Sequence, residues 1–295
     1  MNNFSIKDIE VLTGIKPHTL RIWEQRYGIP LPNRTATNIR YYTGDDVKLL
    51  LNVAMLNRQG YKISKITKMS KEELDQLVVD LNNSNNEQDI RVELLLKAML
   101  SLDEGGFNQV LQSSIEKTGF EDVFNLLIFP LMARIGVMWQ TGSITPAYEH
   151  FTSHLIRQQL YVAIASLPKA DPERSMKFIL FLPPNEPHDI TLLFANYMIR
   201  SAGYHTNYLG PNLPINDLSS VMKLYKADFI LTVLTSASSI QSPLQIANKL
   251  HSDFPNTSIL LAGPQIGQSH VQYPPKVKLL FSFDDFTALL EQLKS

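Results

Sequence analysis

The sequence predicts a multidomain chain: an all-α head with a short wing, a four-helix bundle, and a doubly wound α/β domain on a parallel sheet. Three observations predict it. Two short helical patterns, separated by a glycine turn and followed by a return strand, lie within residues 1–70. Four apolar stripes at three- and four-residue spacing fill residues 90–170. Beyond residue 176, short apolar runs alternate with helical patterns, as a parallel sheet with crossover helices requires.

In the head, Ile6, Ile9, Val11 and Leu12 have helical spacing, with Ser5 as N-cap and Asp8 three residues on. Thr13-Gly14-Ile15 is a turn, and a second helix runs from Lys16 to Arg26. Two helices around a glycine turn make a helix-turn-helix, whose second helix enters the DNA major groove. Pro30 and Pro32 forbid helix, and Arg40-Tyr41-Tyr42 returns as the strand of a wing. Leu49, Leu50, Val53 and Leu56 face inward on the next helix. Taken singly, a basic helix is as well explained by a solvated hairpin. The order of features in TLRIWEQRYGIPLPNR…NIRYYTGDDV, however, resembles the MerR-type winged-helix DNA-binding domain. The resemblance places His18, Thr19, Arg21, Trp23 and Arg26 on the recognition helix, and Arg34, Arg40 and Tyr41 on the wing.

Charge agrees with a nucleic-acid-binding head. Residues 1–70 hold 11 Lys and Arg against 5 Asp and Glu, a net +6 in a chain of net −1. There is no cysteine, which excludes disulfides, thiolate metal sites and a cysteine nucleophile. The N-terminus lacks a signal-peptide pattern, and no apolar run approaches a membrane span, so a cytoplasmic protein without membrane contact is expected.

The segment LNNSNNEQD at 81–89 is polar and aperiodic, and reads as a connector that leaves the head free to reorient. The predicted domains are thus 1–75, a linker at 76–89, a bundle at 90–170 and an α/β domain at 176–295. In the bundle, Trp139 and the pair Glu149-His150 flank a turn. Trp139 taken singly is a core or rim residue, and an acid-histidine pair at a helix start is ordinary. In the α/β domain, DFILTVLT at 228–235 has the composition of a strand buried on both faces. Five strands alternating with helices give a flavodoxin-like sheet.

The first strand of that sheet ends at Pro183-Pro184, and Glu186-Pro187-His188 follows in the loop. Ligands of such sheets bind beyond the carboxyl ends of the strands, where a neutral imidazole can donate a lone pair to a metal. By position alone, His188 is equally a surface histidine at a helix start. The stretch Glu186-Pro187-His188-Asp189-Ile190-Thr191 resembles the Asp/Glu-x-His-x-x-Gly loop of cobalamin-binding domains, with Thr191 in place of the glycine. The spacing from Trp139 to Glu149-His150 resembles the helical cap of cobalamin-dependent photoreceptor regulators. Gln140 stands where light-sensing relatives have a histidine.

These resemblances imply adenosylcobalamin or methylcobalamin as cofactor, with His188 as the lower axial ligand of cobalt. Glu186 or Asp189 would orient its ring, and Trp139, Glu149 and His150 would lie at the upper face. Thr232-Val233-Leu234 and Ala262-Gly263-Pro264 match the family segments that hold the nucleotide tail, though Gly263 also suits any tight strand end. The expected function is a transcription regulator, a repressor on double-stranded DNA, acting as a homo-oligomer (dimer or tetramer). A regulator of the same fold that has lost cobalamin is the alternative. A corrinoid-dependent enzyme is disfavoured, since no substrate-binding barrel is present.

Overall fold

The computed structural model describes residues 4–294 except 36–37, 59, 71–72, 75–76, 78–87, 141–143, 172, 174, 237–240 and 267–271. The chain divides into two compact units, Met1–Leu155 and Ile156–Ser295. Most of the expected connector, residues 81–87, lies outside the described residues.

The first unit begins with α1 (Ile6–Thr13), closed at its start by the Ser5–Asp8 capping box and at its end by Gly14 at φ +73°. Gly14 supplies a left-handed cap, which glycine adopts without steric cost. Next come α2 (Pro17–Tyr27), the strands β1 (Asn33–Arg34) and β2 (Arg40–Tyr41), α3 (Gly44–Arg58) and the single turn α4 (Ile63–Ile66). β1 and β2 pair antiparallel and form the wing.

The bundle's helices are α5 (Gln88–Ser101), α6 (Glu104–Thr118), a composite third rod, and α9 (Pro146–Ser166). The third rod is α7 (Phe120–Val123), a π-helical turn (Phe124–Ile128) and α8 (Phe129–Gln140). Pro130 has no N–H to donate back along the helix, which explains the wider turn just before it. Against expectation, Phe120–Trp139 is long and apolar enough to cross a membrane by length and composition. The rod packs on α5 and α1 through Phe124, Leu127, Ile128, Leu131 and Ile135, all buried.

The head and the first three rods of the bundle, expected as separable parts, fall in one unit, while α9 runs across the division after Leu155. The reason is composition. In α3 the run Leu50, Leu51, Asn52, Val53, Ala54, Met55 and Leu56 is buried without interruption. In α5, Val92, Glu93, Leu95, Leu96, Ala98, Met99 and Leu100 are buried. A helix apolar around its whole circumference needs neighbours on more than one side. α3 packs on α1 and α4 of the head and also on α5 of the bundle.

The second unit is built on a five-stranded parallel sheet: β3 (Lys177–Phe181), β4 (His205–Gly210), β5 (Phe229–Val233), β6 (Ser258–Ala262) and β7 (Val277–Leu280). The spatial order is β4-β3-β5-β6-β7, the flavodoxin order, with its switch point between β3 and β5. All five residues of β5 are buried, as its sequence required.

The connecting helices are α10 (Ile190–Ser201), α11 (Leu218–Tyr225) and α12 (Pro243–Asp253), and α13 (Phe283–Gln292) follows the last strand. One face of the sheet packs Ile179, Phe181, Ile230, Ile259 and Leu261 against Leu218, Ile246 and Leu250. On α10 and α13, Phe194 and Phe283 stack at 5.6 Å between ring centroids.

Candidate functional site

The loop after β3 lies at the switch point, and its side chains are held from both neighbouring strands. Two prolines end the strand, and Asn185 takes a left-handed turn at φ 65°. The Asn185 N–H donates to Asn212 Oδ1 beyond β4, at 3.1 Å. Glu186 is fully buried. Its Oε2 accepts the N–H groups of Thr235 (2.7 Å) and Ser236 (2.6 Å), which follow β5. Its Oε1 lies 2.6 Å from His188 Nδ1 and 3.3 Å from the His188 N–H.

A carboxylate with this many donors stays ionised. Burial pushes the Glu186 carboxyl up, but hydrogen bonds from His188, Ser236 and Thr235 outweigh it and hold the pKa below its ordinary value. An ionised carboxylate only accepts, so Nδ1 donates to it, and in the neutral imidazole Nε2 then carries the lone pair. The imidazole is 56 % exposed although its anchor is buried. That is the usual build of a metal-binding histidine, oriented through its other nitrogen. Among the described residues no group of three or more His, Asp or Glu could hold a metal ion. A ligand role for His188 therefore calls for a metal that brings its own ligands.

Asp189, the alternative partner for the ring, is engaged elsewhere. It accepts from Arg157 Nε of α9 at 2.7 Å. It stands at the N-cap of α10 without capping it through its side chain. Glu186 thus orients His188, while Asp189 ties the start of α10 to Arg157.

The residues matched to the nucleotide tail divide. Thr232 is fully buried on β5, and its Oγ1 has no hydrogen-bond partner among the described residues. A buried hydroxyl left unpaired is costly unless a ligand satisfies it. Gly263 is accounted for by the protein itself. It sits at φ +104°, and a Cβ there would lie 2.5 Å from the Leu234 carbonyl oxygen. Leu234 is buried, and its N–H donates to the Ala262 carbonyl at 2.8 Å. The glycine therefore serves a close backbone approach at the ends of β5 and β6. Thr191 is half-buried in the first turn of α10.

In the first unit, Trp139 is 57 % exposed at the end of α8, so it is no core residue. Glu149 and His150 lie in the first turn of α9, with Glu149 Oε2 3.1 Å from His150 Nδ1. The side chain of Gln140 is outside the described residues.

On the head, His18, Arg21 and Arg26 are exposed along α2, and Thr19 is half-buried with its Oγ1 3.3 Å from His18 Nε2. Trp23 is corrected. It is 7 % exposed and shares the buried face of α2 with Leu20, three residues before it. Its role is packing rather than DNA contact. Arg34 Nη1 donates to Asn38 Oδ1 at 2.8 Å, and Tyr41 is half-buried.

Arg40 Nε donates to Glu24 Oε2 at 3.2 Å, and the hydroxyl of the fully buried Tyr42 donates to Glu24 Oε1. Burial, then Glu24, pushes the Tyr42 phenol well above its ordinary pKa. Glu24 was not singled out in the sequence, yet it joins the recognition helix to the wing. An acid on a basic helix was the available signal.

Comparison with known proteins agrees with both ends of this description. Residues 4–73 match the MerR HTH family regulatory protein model, and residues 92–163 match the B12 binding domain model. The chain is 26% identical over 265 residues to the HTH-type transcriptional repressor CarH of Myxococcus xanthus, covering 88% of each protein. It is 26% identical over 230 residues to the repressor CarA of the same organism, covering 76% of this chain and 74% of CarA. Among solved structures, the monomethylamine corrinoid protein of Methanosarcina barkeri matches with a TM-score of 0.54 at 13% identity. That match covers 67% of this chain and 96% of the other, a likeness of fold. The chain therefore joins a MerR-type helix-turn-helix domain to a B12 binding domain, the composition of a MerR-type regulator with a cobalamin-binding module.

Proposed function

We propose that this protein is a cytoplasmic transcriptional repressor, not an enzyme, whose binding to double-stranded operator DNA is governed by cobalamin through its oligomeric state. The observation that carries the reading is the His188–Glu186 pair at the sheet's switch point. Cobalamin supplies a cobalt already enclosed by the corrin ring nitrogens, so a single protein imidazole completes its lower face. His188 would hold the cobalt through Nε2, with Glu186 keeping the proton on Nδ1 of the neutral imidazole. Thr232 Oγ1 is the buried hydroxyl that the nucleotide tail would satisfy, with Leu234 and Gly263 shaping the backbone beside it. Thr191 limits how closely that tail passes the start of α10. Trp139, Glu149 and His150 are assigned to cofactor contacts within the B12 binding domain.

On the head, Arg21 and Arg26 present the recognition helix to base edges, with His18 and Thr19 beside them. Arg34, Arg40 and Tyr41 set the wing against the phosphate backbone. Two half-sites one helical turn apart require paired heads, hence a dimer or tetramer. With Gln140 in place of a capturing histidine, any light response lacks a stable bis-histidine product.

The test is dark titration of purified protein with adenosylcobalamin, read by absorbance. Wild type should bind with its spectrum in the base-on form. His188→Ala should lose at least tenfold in affinity and give a base-off spectrum. Equal binding by both removes His188 as the ligand. No binding by either favours the second reading, a regulator of the same fold without cofactor, for which Thr191 and the committed Gly263 speak.

A further inference from the structure

The first unit contains two polar contacts between head and bundle that the roles assigned above do not use. Arg134 of α8 donates through Nη2 to the Leu12 carbonyl in the last turn of α1. The final carbonyls of a helix have no partner within it and carry its negative end, so a guanidinium there satisfies both a hydrogen bond and the dipole. Arg58, at the end of α3, forms an ion pair with Glu93 of α5. Glu93 is fully buried, whereas Arg58 keeps 42 % of its side chain exposed. A buried carboxylate without its cation is strongly unfavourable, so this pair resists separation of the two helices. The continuously buried run of α3 packs on α1 and on α5, where Val92, Glu93, Leu95 and Leu96 are buried.

What these contacts leave uncovered matters as much. They engage α1 and α3, while His18, Arg21, Gln25 and Arg26 of α2 stay exposed. The docked head thus keeps its DNA-reading face open. Docking fixes where that face points, without blocking it. The helix that grips α1 also carries Trp139, five residues after Arg134, about 7.5 Å along the axis.

We propose that α8 is the transmission element of this regulator: the bundle carries the head as a rigid body through Arg134–Leu12 and Arg58–Glu93, and cofactor contact at Trp139 shifts α8 against α1 and so re-aims the recognition helix. This rests on the cobalamin reading above. It replaces a freely hinged head with one whose direction is set by the bundle, so that half-site spacing becomes a readout of the sensory part.

The chain has no cysteine, so two introduced cysteines can be spin-labelled uniquely. Ser64→Cys on the head and Glu116→Cys on α6 are both at exposed positions. Electron–electron distance measurement on the labelled full chain, diluted in a large excess of unlabelled chain so that each oligomer carries one labelled copy, should give one narrow distribution without cofactor. Adenosylcobalamin, added in the dark, should displace its mean while leaving it narrow. Adding Arg134→Ala should broaden the distribution and abolish the displacement, with the cobalamin absorbance titration unchanged within twofold. A broad distribution in the unmutated background, or Arg134→Ala data superimposable on it, overturns the inference. A chain that takes up cobalamin without moving the labels overturns the transmission alone. One that takes up none fails earlier, at the absorbance titration, and that failure belongs to the functional reading.

Discussion

The lower-ligand loop and the residues matched to the cap are built on opposite plans. His188 stands on a fully buried carboxylate that is itself fastened to the backbone of Thr235 and Ser236. Trp139 is 57 % exposed, and the His150 side chain is 68 % exposed with Glu149 Oε2 3.1 Å from its Nδ1. One set is fixed by the protein's own hydrogen bonds, and the other is left exposed. Preorganisation favours affinity, whereas groups ordered on binding are suited to reporting it.

The largest effect expected from breaking this contrast is at Glu186. Glu186→Ala strands two backbone N–H groups and the histidine, and should destabilise the second unit by about 3 kcal/mol. The check is chemical denaturation followed by far-ultraviolet circular dichroism. A pH dependence follows from the same group. Its folded pKa lies below the ordinary carboxylate value of about 4.3. The stability it contributes is therefore complete above that value and lost as pH falls through the folded pKa. Melting temperature should be flat above pH 5 and fall below pH 4, and Glu186→Gln should flatten that fall. An unchanged acid limb in Glu186→Gln would place the acid-sensitive group elsewhere.

A smaller effect sharpens the comparison at Thr232. Replacing its unpaired buried hydroxyl with a methyl, Thr232→Val, should stabilise the cofactor-free protein by about 1 kcal/mol. The same change should weaken adenosylcobalamin, since the hydroxyl's partner would come from the ligand. Stabilisation without loss of affinity would make Thr232 a packing residue only.

The smallest stability effect belongs to the open set. Trp139→Ala should change stability by no more than about 0.5 kcal/mol, as expected of an exposed side chain. It should leave the base-on spectrum intact and speed cofactor release. A large loss of stability would mean that the exposed indole is structural after all.

Much of the architecture was legible because period and composition report burial. The all-apolar run of β5, the prolines ending β3 and the Ser5–Asp8 box each determine local structure through nearby residues. What escaped depends on partners far along the chain. The Glu186 clamp uses backbone N–H groups of Thr235 and Ser236, and an amide has no sequence signature. Trp23 was misread because an aromatic on a basic helix suits DNA; its three-residue offset from Leu20 placed it on the buried face. The docking of head on bundle was visible in principle, since neither α3 nor α5 has a polar side wide enough for solvent. It was obscured by the polar segment between them, which describes composition and not distance.

The Glu186 clamp also limits what can be moved between proteins. An engineer wishing to install this histidine on another parallel sheet could copy residues 183–189 and reproduce every side chain of the loop. The graft would still lack the amides of Thr235 and Ser236, and the carboxylate would find itself buried without donors. The portable module is therefore a pair of loops from either side of the switch point, and a transplant has to carry both.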